Sequence, residues 1–98
     1  MKREIYYHPK VPAEIREIYR YYTDLSERLG EEFWTELMEA LEYASEFPER
    51  HHFDPSGRRR SNLTKFPYHF LFRVFPDYIR VTIVRHDKRD PKLGSRRS

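Results

Sequence analysis

The chain has 98 residues, the length of a single domain with one hydrophobic core, and 38% of its residues are hydrophobic. It contains no cysteine, which excludes disulfide bonds and thiolate metal ligands and suits a reducing compartment. No stretch approaches the ~18 consecutive apolar residues of a membrane helix, and no apolar run follows the first four residues, MKRE. We therefore expect a soluble cytoplasmic protein that makes no membrane contact.

The net charge of +3 hides an uneven distribution of charge along the chain. Residues 1–49 contain 6 Lys and Arg against 12 Asp and Glu, whereas residues 50–98 contain 13 Lys and Arg against 4 Asp and Glu. A half this basic indicates a polyanionic partner, which is either a nucleic acid or an acidic protein. The alternative is a surface whose charges are unevenly spread without a dedicated partner.

The first half of the chain predicts a strand followed by two helices. Residues 4–7 (EIYY) form a short aromatic-rich strand that ends at His8-Pro9. Apolar residues then recur at helical spacing over residues 12–29 and 31–46, and Gly30 is the predicted stop between the two helices. A connection this short predicts an antiparallel helical hairpin. The predicted apolar stripes are Ile15, Ile18, Tyr22, Leu25 and Leu29 in the first helix, and Phe33, Trp34, Leu37, Leu41 and Ala44 in the second.

The second half predicts three strands. After a polar loop over residues 48–58, residues 59–63 form a strand near a sheet edge, and residues 68–75 and 78–85 form two alternating strands. Pro76-Asp77 is the predicted two-residue turn between those two strands. The order strand, helix, helix, strand, strand, strand predicts an α+β fold, in which a helical hairpin packs on a mostly antiparallel sheet. We expect one domain over residues 1–98, with a mobile basic tail from about residue 91.

A set of short motifs runs through the basic half in a fixed order. They are Arg59 or Arg60 before Leu63, and then the runs 66–68 (FPY), 72–74 (FRV) and 84–91 (VRHDKRDP). Together with the element order, this set resembles the RelE/ParE toxins of type II toxin–antitoxin modules, most closely the plasmid-stabilisation branch. The resemblance covers essentially the whole chain. It implies a growth-arresting cytoplasmic toxin that a cognate antitoxin protein neutralises.

The resemblance leaves two targets open. RelE-like members cut mRNA on the ribosome, and ParE-like members inhibit DNA gyrase. The RelE-like chemistry uses basic residues on the sheet, often with a Tyr or His near the C-terminus, which implies Arg59, Arg73 and His86 as candidate catalytic residues. A histidine can serve as acid or base near neutral pH, and arginine grips phosphate. The chain has no tyrosine after its last predicted strand, which keeps gyrase inhibition open beside RNA cleavage.

Other basic residues are candidates for contacts with a nucleic acid or a protein target. The alternative for this charge run is a solvated loop-to-strand junction, and the alternative for His86 is a histidine that caps a strand end or binds Asp87. The rival function for the whole chain is a non-enzymatic nucleic-acid-binding domain, which the basic half would suit. His51 and His52 with Asp54 make a poor chelate, because neighbouring side chains diverge, so we expect no metal and no cofactor. The candidate contact residues are Arg58, Arg60, Arg85, Lys88 and Arg89.

Overall fold

The computed structural model describes residues 2–98, in which two α-helices pack on a four-stranded sheet. The sheet order is β1-β4-β3-β2, with β1 parallel to β4 and the other two neighbouring pairs antiparallel. The predicted α+β fold is therefore confirmed, as is the edge position of β2. The elements are β1 (Glu4–Tyr7), α1 (Val11–Leu25), α2 (Glu27–Glu46), a 3₁₀ turn (Pro48–Arg50), β2 (Arg59–Asn62), β3 (Tyr68–Val74) and β4 (Tyr78–His86).

The core lies between the helices and one face of the sheet, which we call the helix face. Phe70 and Phe72 of β3 are fully buried there, and burying one such side chain contributes roughly 1.5–3 kcal/mol. Leu25 and Trp34 were predicted to be in the apolar stripes, but they are 61% and 45% exposed. Neighbouring helix residues point about 100° apart, so Phe33 faces the sheet and Trp34 does not. The helices contribute Val11, Ile15, Ile18, Phe33, Leu37, Leu41 and Ala44 to the core.

The break between the helices lies at Ser26, so the prediction of a stop at Gly30 is wrong. Ser26 is extended, with φ −171° and ψ 131°, and its N–H donates to the carbonyl of Tyr22. Gly30 is buried inside α2, where an added Cβ would lie 2.1 Å from Thr23 Oγ1. The glycine therefore lets the two helices approach each other closely just after the break, and the antiparallel hairpin itself is as predicted.

A bulge in β4 changes which residues face the helices. Leu71 pairs with Ile83, whereas the next residue of β3, Phe72, pairs with Val81, so β4 contains one extra residue, Thr82. A bulge of this kind reverses the alternation of side chains beyond it. Arg85 consequently contacts His69 on the face away from the helices. His86, one residue on, lies on the helix side with Tyr68.

The segment 91–98 crosses the other face of the sheet, which we call the tail face. Leu71 and Ile83 lie on this face and are buried. Gly94 has φ +79°, and an added Cβ would lie 2.5 Å from Ile83 Cδ1, so the crossing requires glycine. We expected a mobile tail, and its mobility stays a prediction. The contacts in this position are specific, because main-chain carbonyls of residues 91–97 accept hydrogen bonds from two buried arginines.

Between residues 2 and 98, no helix combines the length and apolar character needed to cross a membrane.

Candidate functional site

His86 opens onto a cleft of about 370 Å³ between α1 and the ends of β3 and β4. Its ring meets the Tyr68 ring edge-on, with 5.0 Å between centroids. Glu17 and Tyr21 line the cleft from α1, and Arg89 lines it from the segment after β4. The fold thus brings carboxylate, phenol, imidazole and guanidinium groups to one opening. Of the residues that carry these groups, the sequence analysis named only His86 and Arg89 as candidates.

The hydrogen bonding of His86 limits its chemistry. Its Nδ1 accepts the N–H of Lys88 at 3.0 Å, which places the proton of the neutral ring on Nε2. Nε2 is then a hydrogen-bond donor and not a base. Burial raises the pKa of Tyr68, and Tyr21 and Glu17 raise it further, so this phenol also keeps its proton. His86 and Tyr68 are thereby placed to donate hydrogen bonds to an anion rather than to remove a proton.

The three candidate catalytic residues do not converge. Arg73 pairs with Arg80 at the hairpin end of the sheet and lies on the tail face, whereas His86 pairs with Tyr68 at the other end and lies on the helix side. Five residues of β3 separate these pairs, which is roughly 17 Å along the strand. The guanidinium of Arg59 donates to the carbonyl of His51 at 2.9 Å and stacks on the Phe53 ring at 4.3 Å. No single substrate phosphate can reach all three, and their catalytic roles stay predictions.

Arg85 belongs to a buried polar network on the tail face. Its Nε donates to His69 Nε2 at 2.9 Å, and His69 Nδ1 lies 2.8 Å from Asp87 Oδ1. His69 is therefore neutral, with its proton on Nδ1 shared with Asp87. Burial lowers the pKa of His69, and Arg60 and Arg85 add to this, although the hydrogen bond to Asp87 opposes it. Asp54 lies 3.7 Å from Arg60 and 3.9 Å from Arg85 and balances part of their charge.

Arg58 is 1% exposed and holds the tail. It donates to the carbonyls of Gly94 at 3.0 Å and Ser95 at 3.1 Å, and also to that of Arg97. Arg85 is 5% exposed, and it donates to tail carbonyls at positions 91 and 93. Neither guanidinium can meet an external partner while the tail lies here. Target contacts at Arg58 and Arg85 stay predictions, which would require the tail to leave this position.

The other predicted contact residues remain accessible. Lys88 and Arg89 are exposed beside the His86 cleft, and Arg60 keeps 31% of its side chain exposed between Asp54 and Asp87. They stay candidates for target contacts.

The His51 ring nitrogen Nδ1 faces the carbonyls of Phe47 and Pro48 at 3.2 and 3.3 Å. Among residues 2–98 no group of three or more histidine and acidic side chains is placed to bind a metal ion.

Comparison with known proteins adds one decisive observation about the fold. No family model and no curated protein matches the sequence. A solved structure described as "Chromosomal ParDE TA system from P. aeruginosa" contains a similar chain, with a TM-score of 0.72 and 19% identity. The match covers 87% of this chain and 96% of the other. This chain shares the ParDE chain's fold.

Sequence reasoning missed His69 and Asp54, which contact Arg85, one of the two arginines that hold the tail. His69 looked like an ordinary strand residue, and Asp54 looked like a loop acid beside two histidines. The signal that could have found them is an ionisable residue inside a strand that is apolar on both of its faces, as in the run 69–73 (HFLFR) and the run 83–86 (IVRH). A sheet covered on both faces must pair its buried polar groups.

Proposed function

We propose that this chain is the toxin of a type II toxin–antitoxin module and that a cognate antitoxin protein neutralises it. The likeness to a chain of a ParDE system over 87% of the sequence supports this role. The net basic second half supports an acidic antitoxin segment as the neutralising partner, since such a segment would screen exposed cations. Assignment to the plasmid-stabilisation branch, and a cytoplasmic location, go with this proposal as predictions.

We further propose that the toxin acts by binding its target, as the ParE-like inhibitors of DNA gyrase do, and not by cutting RNA. One observation carries this choice, which is that Arg73 and His86 lie on opposite faces and at opposite ends of the sheet. General acid–base cleavage needs both groups at one phosphate. The tautomer of His86 supports the same choice, since its Nδ1 is already occupied by the Lys88 N–H.

Ribosome-dependent mRNA cleavage remains a second candidate, because one observation favours it. The His86 cleft combines an imidazole, the phenol of Tyr68 and the guanidinium of Arg89 within one opening. If a bound RNA displaced the Lys88 N–H from Nδ1, the imidazole could exchange a proton. The binding proposal and the cleavage proposal differ in what they require of His86, and one experiment separates them.

The experiment is induction of the gene in a bacterial host, with and without the adjacent small gene that would encode the antitoxin. When the adjacent gene is absent, we expect growth arrest, a changed level of plasmid supercoiling and intact mRNA. His86→Ala should still arrest growth, and Arg20→Ala serves as an exposed control on α1. Arrest with cut mRNA that His86→Ala abolishes, in a variant that still binds the antitoxin, would replace the binding mode by cleavage. An absence of arrest in the wild type would refute the toxin proposal and leave a nucleic-acid-binding domain.

A further inference from the structure

A second cleft, of about 660 Å³, lies between the segment that enters α1 and residues 92–98 of the tail. His8 and Lys10 line one side, and the tail lines the other. The volume is within the ~300–1,000 Å³ range of ligand sites. His8, Lys10 and residues 92–98 lie outside the sequence motifs described above, and this cleft shares one lining residue, Leu93, with the His86 cleft.

The cleft gathers cations that lack acidic partners. The ion pair that forms at it is between Arg97 Nη1 and Glu14 Oε2, at 2.7 Å. Over residues 2–98, Lys10, Lys92 and Arg96 make no ion pair within 4.0 Å. Arg80, at the rim, donates from Nε to the carbonyl of Ser98 at 2.8 Å. Bringing positive charges together without counter-ions is unfavourable, so an anion would stabilise this arrangement.

The cations around the cleft affect the protonation of His8. Burial lowers the pKa of His8, and Arg97, Arg80 and Lys10 lower it further, while Glu14 acts in the opposite direction. Its Nδ1 also accepts the N–H of Lys10 at 3.1 Å, a bond that protonation of the ring would remove. Three cations and one acid thus act on His8, so the net effect of its charged neighbours is positive.

We propose that this cleft binds phosphate groups, supplied either by a small phosphate compound or by the backbone of a nucleic acid. A single carboxylate would leave most of the positive charge unbalanced, whereas a phosphate chain places several negative charges side by side. Arginine forks match phosphate oxygens in pairs, and within residues 2–98 the Arg96 guanidinium makes no ion pair or hydrogen bond that would prevent this. Arg97 and Arg80 lie at or beside the opening, but Arg97 is paired with Glu14 and donates to the Thr82 carbonyl, and Arg80 donates to the Ser98 carbonyl. The proposal is independent of the toxin role, since it rests on the cleft alone.

The test uses the full chain and two probes, inorganic pyrophosphate and a single-stranded DNA oligonucleotide. Binding should raise the pKa of His8, followed by NMR of its ring proton and assigned with His8→Gln. Affinity should also increase as the pH falls, because a protonated His8 adds a positive charge. The double variant K92A/R96A removes two exposed side chains that make no hydrogen bond in the fold. It should weaken oligonucleotide binding at least tenfold. The slope of the logarithm of the binding constant against the logarithm of the salt concentration should become smaller in magnitude by about 1.4, because each phosphate contact of a single strand contributes ~0.7.

The matched control is R16A/R20A, which removes the same charge from exposed positions on α1. Equal losses in the two double variants, or an unchanged His8 pKa with both probes, would overturn the proposal. If the oligonucleotide binds no more tightly than pyrophosphate, the cleft is a site for a small phosphate compound. If the oligonucleotide binds more tightly than pyrophosphate, with the expected dependence of affinity on salt, the cleft is a site for a nucleic-acid backbone. Growth arrest by K92A/R96A would be unaffected in either case if the toxin acts elsewhere.

Discussion

Replacing Arg58 with methionine should release the tail while leaving the rest of the fold intact. The change keeps an apolar side chain in the space that the arginine stem fills and removes the guanidinium. Three main-chain carbonyls of residues 94–97 then lose their donors. Those carbonyls lie near the surface and can take up water, so the cost of releasing the tail is small for the folded core.

The expected change in the free energy of tail docking follows from the number of hydrogen bonds that the tail loses. A hydrogen bond within a protein contributes about 1 kcal/mol net, so three bonds amount to about 3 kcal/mol of tail docking, or roughly a hundredfold change in its opening equilibrium. The overall stability should change much less. Burial lowers the pKa of Arg58, and the nearby Arg73, Arg85 and Arg97 lower it further, so methionine also removes an unfavourable buried charge.

Amide hydrogen exchange measures the effect directly. The N–H groups of Leu93, Ser95 and Arg97 are hydrogen-bonded within the tail and should exchange about a hundredfold faster in Arg58→Met. Urea unfolding should show a change of about 1 kcal/mol or less in the free energy of unfolding. Arg73→Met is the matched control, because it makes the same substitution at an exposed position on the same sheet. Unchanged tail protection in Arg58→Met, or equal loss in Arg73→Met, would refute the reasoning.

Two further predictions concern the helix junction and the buried histidine. Gly30→Ala should destabilise the fold by about 2 kcal/mol through its contact with Thr23, and adding Thr23→Ala should restore part of that loss in urea unfolding. Simple additivity of the two changes would contradict the close-approach explanation. Because the pKa of His69 is lowered in the fold, the unfolded chain binds its proton more readily, and stability should fall as the pH drops below about 6.5. His69→Gln should lose that part of the pH dependence between about pH 7.5 and 5.5, whereas exposed His52→Gln should keep it.

The elements of the fold were predictable because their patterns are strong. Helical spacing over residues 12–46 and two alternating runs joined at Pro76-Asp77 led to the correct order and class. The helix break was not predictable with the same certainty, because a glycine can end a helix or allow close packing inside one. Which of the two roles the glycine has depends on the neighbouring helix. Here Thr23 of α1 lies so close to Gly30 that the glycine allows close packing.

The candidate site was predicted in identity but not in arrangement. The residues on either side of the bulge, Val81 and Ile83, are both apolar, so the sequence contains no signal for the extra residue Thr82. The burial of Arg58 and Arg85 was equally hidden, because their partners are main-chain carbonyls, which every residue possesses. Side-chain chemistry can be read from a sequence, whereas a carbonyl becomes a specific partner only when the chain is folded.

The extra residue in β4 has a consequence for how this protein can vary. A deletion at Thr82 would let β4 match β3 residue for residue, because Leu71 already pairs with Ile83 and Phe72 with Val81. Residues 83–86 would then keep their present faces, with Arg85 under the tail and His86 on the helix side. Relatives that lack this one residue would therefore present the same side chains on the same faces of the sheet, although their sequences would align with this chain only across a gap.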